Sequence, residues 1–317
     1  MVFSLDSLKP YEAKPTILVT GGTSGIGKIA VREFIRLGAR VYVLARNPTK
    51  SAALVADIAN ELNYDKQDVD IHIIEADFFD LKSVVSAAEK FKSNEQKLDI
   101  LLNNAGTMIP SYAETSDDYE STLQINYVAP YLLTRLLLPN LLAAPAPRVI
   151  NVSSLGHTFS SGFWYNDSNF KSAWGFDIIT RSRRYGQSKL ALILFTKSFA
   201  KLYPTIISVA VHPGAIFDTG LYDNFNESTY FFGKAKYVLQ FMRRQASWLG
   251  GISLEDGALT SIFCAASPHV TLADNGEYYV PIAKKGKPSS KVNEPAADEL
   301  YKWTEAQLIE KGYLHVE

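Results

Sequence analysis

The chain has 317 residues, 47% of them hydrophobic, and a formal net charge of −1. This composition excludes disordered and collagen-like chains. The balance of 32 basic and 33 acidic residues argues against nucleic-acid binding, which needs clustered Lys and Arg. The single cysteine, Cys264, excludes an intrachain disulfide and a cysteine-based zinc cluster, and no metal site is expected.

Strands are predicted where short runs rich in Val, Ile and Leu are bounded by turn residues. Seven such runs occur, at Thr16–Thr20, Arg40–Ala45, Val69–Glu75, Leu98–Asn103, Arg148–Ser153, Ile206–Val211 and Gly276–Pro281. Amphipathic stretches between them predict helices near 26–37, 49–62, 81–92, 117–142, 184–202, 254–266 and 296–311. This alternation is typical of an α/β fold, a doubly wound parallel sheet of about seven strands flanked by helices.

One domain is expected over 15–282, with an extension at 1–14 and a second at 283–317 that contains a helix. Two aromatic-rich insertions, 155–183 and 215–254, follow strands at their carboxyl ends, where an open α/β sheet binds its ligands. Their aromatic residues predict a wall for an apolar or aromatic substrate, although the same residues could close a core under long loops. The basic segment 284–291 is interpreted as a solvated loop rather than a phosphate contact.

The N-terminal residues lack the apolar run of a secretory signal, which is ~7 to 15 residues long. The most apolar stretch, 131–147, is interrupted by Arg135 and prolines, whereas a transmembrane helix needs ~20 continuous apolar residues. We therefore expect a cytoplasmic protein with no transmembrane segment.

A glycine-rich turn follows the first strand and opens a helix, as in dinucleotide-binding Rossmann-type folds. Its residues are Gly21, Thr23, Ser24, Gly25, Ile26 and Gly27. The glycines allow a tight turn, close approach to a pyrophosphate and close helix packing, while the helix N-terminus attracts the phosphates.

The second strand ends without an acidic residue and is followed by Arg46. An acid at this point would bind the ribose 2′-hydroxyl of NAD, whereas a guanidinium can bind the 2′-phosphate of NADP. NADP(H) is therefore favoured over NAD(H), unless Arg46 is simply a solvent-exposed residue.

Further motifs follow in a fixed order: Asn103-Asn-Ala-Gly106, Asn126, Ser153-Ser154, Tyr185-Gly-Gln-Ser-Lys189 and Pro213-Gly214. With the glycine turn, this order resembles the short-chain dehydrogenase/reductase family over about residues 15–282. Within it, the chain looks most like the retinol dehydrogenase-like carbonyl reductases.

The tyrosine and lysine of the fourth motif can be interpreted chemically. Tyr185 and Lys189 are four residues apart and share one helix face, and a nearby ammonium favours the phenolate. Tyr185 can then act as a general acid or base, although this spacing alone more often marks a surface pair.

The resemblance implies the remaining roles. Ser154 would hydrogen-bond the substrate oxygen, with Ser153 as the alternative, Lys189 would also contact the nicotinamide ribose, and Asn126 would hold a water in a proton relay. Asn126 could instead be a helix-bending polar residue, and Asn103 and Asn104 could be structural. The remaining implied cofactor contacts are Asp77, Asn104, Ala105, Gly106, Pro213, Gly214 and Thr219, the last displaced by one residue from the usual pattern.

The predicted activity is NADPH-dependent reduction of a ketone or aldehyde, reversible to alcohol oxidation. One alternative is a catalytically silent NADP(H)-binding sensor or scaffold, which the intact catalytic set disfavours. Another is a membrane-surface retinoid or lipid dehydrogenase, prompted by the basic, aromatic segment 230–249, which could equally be a substrate lid. A homodimer is possible through 132–142 and 190–199, whose apolar residues could also be buried within one chain.

Overall fold

The fold is an eight-stranded sheet covered by helices on both faces. The computed structural model describes residues 3–109, 111–171, 177–216 and 252–315. The strands are β1 Thr16–Thr20, β2 Arg40–Ala45, β3 Ile71–Glu75, β4 Ile100–Asn103, β5 Arg148–Val152, β6 Ile207–Val211, β7 Tyr278–Val280 and β8 Lys284–Lys285. The predicted doubly wound α/β fold is confirmed.

The helices lie mainly where the sequence predicts them. They are α1 Gly25–Arg36, α2 Pro48–Leu62, α3 Leu81–Asn94, α4 Ser121–Leu123, α5 Ala129–Leu136, α6 Leu138–Leu142, α7 Asp177–Leu202, α8 Leu254–Ala266 and α9 Glu294–Glu310. The single helix predicted near 117–142 is wrong in detail, because a π-helical turn, Gln124–Val128, separates α4 from α5 and Leu137 separates α5 from α6. Helix α7 also begins earlier than predicted, within the first insertion.

The strand order is β3-β2-β1-β4-β5-β6-β7-β8, and every pair is parallel except β7 with β8. Every residue of β1 is buried, as expected for a strand that helices cover on both sides. The order reverses between β1 and β4, and the carboxyl ends of strands at such a reversal form the ligand crevice of this fold.

The eighth strand was not predicted. Its two residues, Lys284 and Lys285, lie in the segment interpreted as a solvated loop, and both are exposed. Lys285 forms an ion pair with Asp274 at 2.7 Å, and this contact holds the edge strand β8. A two-residue strand of lysines carries no hydrophobic pattern from which it could be predicted.

The C-terminal helix α9 packs against α5 and α7. The Tyr127 hydroxyl lies 2.6 Å from the Thr304 hydroxyl, and Arg135 pairs with Glu305 at 2.9 Å. The apolar side chains proposed for a dimer interface are largely buried within this single chain, and Leu142 is an exposed exception. The homodimer therefore stays a prediction.

Within the residues that the structure describes, no helix combines the length and the apolar character needed to cross a bilayer.

Candidate active site

The glycine turn connects β1 to α1 in a form that can receive phosphate. A Cβ at Gly27 would lie 2.3 Å from the Gly21 carbonyl oxygen, so only glycine fits there. At Gly25, where φ is +55°, a Cβ would meet no atom within 4 Å, so the turn has open space in front of it. Ser24 makes no side-chain cap to α1, which leaves the first-turn N–H groups free of a capping side chain. Open space beside such N–H groups fits a dinucleotide pyrophosphate.

Two further predicted residues of this turn, Thr23 and Ile26, are half-buried.

The Asn103–Gly106 segment after β4 is tied to the glycine turn. The Thr20 hydroxyl accepts hydrogen bonds from the backbone N–H groups of Asn104 and Ala105, at 3.0 and 2.9 Å. The Asn104 side chain donates to the Thr20 carbonyl at 2.9 Å, and that of Asn103 donates to Asn151 at 2.9 Å. Both asparagines thus make structural bonds, which is the alternative predicted for them.

Two predicted cofactor contacts, Arg46 and Asp77, meet at the ends of β2 and β3. The Arg46 guanidinium lies 3.9 Å from the Asp77 carboxylate and 5.4 Å from the centre of the Phe79 ring. The Arg46 side chain is 64% exposed, so most of it is available to a ligand. A cation held beside an aromatic ring, with no acid at the end of β2, fits a 2′-phosphate.

The two serines after β5 have different surroundings. The buried Ser153 hydroxyl donates to the Lys189 carbonyl at 2.7 Å and is thereby committed to α7. The Ser154 hydroxyl accepts from the Gly156 N–H at 3.0 Å. A Cβ at Gly156 would lie 2.7 Å from a Tyr185 ring carbon and 3.4 Å from the Ser154 hydroxyl oxygen. The geometry favours Ser154 over Ser153 as the partner of Tyr185.

Tyr185 and Lys189 lie on α7, with the Lys189 ammonium 5.9 Å from the centre of the Tyr185 ring. Both side chains are buried, and the Lys189 ammonium donates to the Val152 carbonyl at 2.8 Å. Burial lowers the pKa of Lys189 to about 7, since the charged form loses its hydration. At neutral pH this lysine can therefore gain or lose a proton.

Asn126 lies in the π-helical turn, fully buried, beside the same lysine. Its side-chain oxygen accepts from the Thr107 N–H at 2.7 Å, and its amide donates to the Ser188 hydroxyl at 2.9 Å. A Cβ at Gly106 would lie 3.1 Å from the Lys189 nitrogen and 3.4 Å from the Asn126 side-chain oxygen. The turn thus brings Asn126 to the same glycine that Lys189 borders, and such π turns often occur at functional sites.

The Pro213–Gly214 turn follows β6 at the same edge of the sheet. Gly214 has φ +100°, and a Cβ there would lie 2.2 Å from the Ile252 side chain, so this position requires glycine. Thr219 lies outside the described residues, as do most of the second insertion and the segment 230–249.

The aromatic residues predicted to form a substrate wall have different surroundings. Phe159 is 64% exposed. Phe163 and Tyr165 instead pack against Trp303 of α9, with ring centres 5.1 and 6.1 Å away, so these two close a core under the loop. Trp164 stacks on Phe170. The remaining predicted members, Trp174, Phe217, Tyr222, Phe231 and Phe232, lie outside the described residues.

Four polar residues that hold this site together were not predicted. Ser188 links Asn126 to α7 through its hydroxyl, and Gln187 accepts from the Trp164 N–H at 3.0 Å. Two buried histidines, His157 and His212, contact the backbone that follows Ser154. Gln187 and Ser188 lie inside the Tyr-Lys motif and His212 precedes Pro213, so their position in the sequence was the available signal.

Comparisons with known proteins show which family the chain resembles. The family model described as short chain dehydrogenase matches residues 15–166. The chain is 39% identical to the short-chain dehydrogenase/reductase drtF of Aspergillus calidoustus, over 98% of both chains. It is 32% identical to mouse retinol dehydrogenase 12, over 90% of this chain and 83% of that one. Among solved structures, an uncharacterized protein from Mycobacterium paratuberculosis matches with a TM-score of 0.69 and 25% identity over 97% of both chains.

Proposed function

The chain belongs to the short-chain dehydrogenase/reductase family, and we propose that it is an NADPH-dependent reductase of ketones or aldehydes. The observation that carries this proposal is the convergence of four side chains at one edge of the sheet. Tyr185 and Ser154 both border Gly156, the Lys189 ammonium lies 5.9 Å from the centre of the Tyr185 ring, and Lys189 and Asn126 both border Gly106. A catalytically silent sensor would not need this arrangement.

The cofactor would be held by the glycine turn, the Asn104–Gly106 segment and Arg46. The uncapped N–H groups of α1 would bind the pyrophosphate, and the exposed Arg46 guanidinium would bind the 2′-phosphate. When bound, the reduced nicotinamide supplies a hydride to the substrate carbonyl carbon. The preference for NADP(H) over NAD(H) rests on Arg46 and on the missing acid at the end of β2.

The protein's own residues would supply the proton and the polarisation. The Ser154 hydroxyl would donate a hydrogen bond to the carbonyl oxygen, which gains negative charge during reduction. The Tyr185 hydroxyl would then donate its proton to that oxygen. Lys189 can carry a charge beside the ring and can replace the lost proton, since burial brings its pKa to about 7. Asn126 would hold the water that connects Lys189 to solvent.

The surroundings of Ser154 support an apolar substrate. Leu155 and Phe159 lie in the turn directly after Ser154, and the two residues are 56% and 64% exposed. Large apolar side chains exposed beside a reactive group favour contact with an apolar ligand.

A second candidate is a retinoid or lipid dehydrogenase that works at a membrane surface. The relative named retinol dehydrogenase 12 supports an isoprenoid substrate, and so do the exposed Leu155 and Phe159 side chains. Flotation with anionic liposomes tests the membrane component separately from turnover.

The proposed activity is tested by following NADPH oxidation over a panel of small ketones, aromatic aldehydes and retinal, with NADH in parallel. We expect turnover with NADPH and a loss of about 100-fold or more in Tyr185→Phe, because a positioned general acid contributes about that factor. Binding of NADPH with no turnover on any substrate would contradict the proposal and favour the sensor.

A further inference from the structure

A single peptide group, Ser154–Leu155, is held at both ends by buried histidine side chains. The Ser154 carbonyl oxygen lies 2.7 Å from Nδ1 of His157 and also accepts from the His157 backbone N–H at 3.1 Å. The Leu155 N–H donates to Nδ1 of His212 at 3.2 Å. One imidazole therefore fixes the carbonyl end of this peptide and the other fixes its N–H end.

The chemistry of the partners assigns the tautomer of each ring. A carbonyl oxygen only accepts, so Nδ1 of His157 carries the proton, and its Nε2 accepts from the Ser289 N–H at 3.1 Å. Nδ1 of His212 receives two N–H donors, from Leu155 and from Gly214 at 3.1 Å, so it is an acceptor. Each bonding pattern requires a neutral ring.

Both rings are placed to stay neutral. The exposed fraction is 1% for His157 and 7% for His212. Burial lowers the pKa of both, that of His212 to about 4. The His157 ring is further fixed by an edge contact with Tyr278, with ring centres 5.4 Å apart.

The outer bonds of the two rings reach different parts of the site. His212 joins the turn after Ser154 to the Pro213–Gly214 turn, because one nitrogen receives an N–H from each. His157 joins Ser154 to the segment after β8 through Ser289. Rotation of the Ser154–Leu155 peptide would break bonds on both sides.

We propose that His157 and His212 are positioning residues that clamp the Ser154–Leu155 peptide and thereby aim the Ser154 hydroxyl at the substrate oxygen. The clamp rests on the proposed function, since it acts through Ser154. A hydroxyl displaced by about 1 Å can cost two orders of magnitude in rate, so a fixed backbone at this residue has a catalytic effect.

Asn and Gln substitutions separate the two nitrogens of each ring. In Asn the amide group replaces Nδ1, and in Gln it replaces Nε2, because each lies at the corresponding number of bonds from the backbone. His157→Asn keeps the donor to Ser154 and loses the acceptor for Ser289, whereas His157→Gln does the reverse. His212→Asn keeps the acceptor for Leu155 and Gly214, and His212→Gln loses it. For each bond, the variant of the pair that keeps it is the matched control for the variant that loses it.

Amide hydrogen exchange tests the clamp without any substrate. In His212→Gln we expect the Leu155 and Gly214 amides to exchange about tenfold faster or more, and in His212→Asn to stay protected. In His157→Asn we expect faster exchange at Ser289, and in His157→Gln protection there. Equal protection of these amides in the Asn and Gln variants would overturn the clamp.

Steady-state kinetics test the positioning role. We expect kcat to fall about tenfold or more in both Gln variants and to stay near the wild-type value in both Asn variants, with equal melting temperatures within each pair. The double Gln variant should have a kcat little lower than that of the worse single variant, since both substitutions act on one peptide.

Equal kcat in the Asn and Gln variants would overturn the positioning role, even if exchange confirms the clamp. A wild-type protein with no turnover would overturn the proposed function and the positioning role with it, while the exchange data would still decide the clamp.

Discussion

The buried charge of Lys189 makes the stability of the cofactor-free protein depend on pH in a direction that can be calculated. Its pKa falls from 10.5 in the unfolded chain to about 7 in the folded protein. Below pH 7 Lys189 carries its proton in both the folded and the unfolded chain, so the free energy of folding includes the full cost of burying the charge. Between pH 7 and 10.5 the unfolded chain binds more protons than the folded one, so the free energy of unfolding rises with pH.

The size of this effect follows from the difference between the two pKa values. At 1.36 kcal/mol for each unit of pKa difference, burying the charged Lys189 costs roughly 5 kcal/mol in total. About 2 kcal/mol of this cost disappears between pH 7 and 9. Lys189→Met keeps a side chain of similar length and removes the charge. We expect the free energy of unfolding of the wild type to gain about 2 kcal/mol relative to this variant over the same interval.

Urea unfolding at pH 7 and pH 9, followed by circular dichroism without cofactor, measures the difference. Burial raises the pKa of Cys264, which makes stability fall at high pH, but this contribution is the same in both proteins and cancels in the comparison. A difference between wild type and Lys189→Met that stays constant from pH 7 to pH 9 would refute the assigned pKa and its cause.

Four further substitutions test separate parts of the site. Ser154→Ala should lower kcat about 100-fold with little change in melting temperature. Ser153→Ala should instead cost about 1 to 3 kcal/mol in urea unfolding, since its hydroxyl is bonded to the Lys189 carbonyl, and the reverse pattern would move the catalytic assignment to Ser153. Arg46→Ala should raise the KM for NADPH about tenfold, the equivalent of one exposed charge-assisted bond, and leave that for NADH unchanged. An equal change with both cofactors would remove the basis for NADP preference. Phe159→Ser should raise the KM for aromatic and isoprenoid carbonyls but not for small ketones, and equal KM effects on both classes would place Phe159 outside the substrate contact.

The strands and the glycine turn could be predicted because their signals are local. A run such as Thr16–Thr20 is apolar throughout, and parallel strands buried on both faces have this composition. The interruption of the helix near Asn126 was missed, because α4, the π-helical turn and α5 form a continuous stretch that is almost entirely buried and therefore shows no change of periodicity. Likewise, Ser153 and Ser154 are adjacent and identical in sequence. Their hydroxyls have different partners only because α7 packs against β5.

The Tyr-Lys motif shows why the residues between two functional side chains are as constrained as the pair itself. Tyr185 and Lys189 share one face of α7, so the three residues between them point in the other directions around the helix. Gly186 allows backbone contact, because a Cβ there would lie 2.8 Å from a carbonyl oxygen of the turn after Ser154. Gln187 bonds to the first insertion, and Ser188 bonds to the π-helical turn.

The three residues between Tyr185 and Lys189 are therefore in contact with protein, and each contact reaches a segment that carries or adjoins part of the proposed site. Any rotation of α7 that moved Tyr185 away from Ser154 would break at least one of these contacts. The spacing of four residues places the phenol and the ammonium together, and the intervening residues keep that face directed at the substrate. A helix with the same Tyr-Lys spacing but solvent on its other faces would have no such restraint, which is why the spacing alone predicts so little.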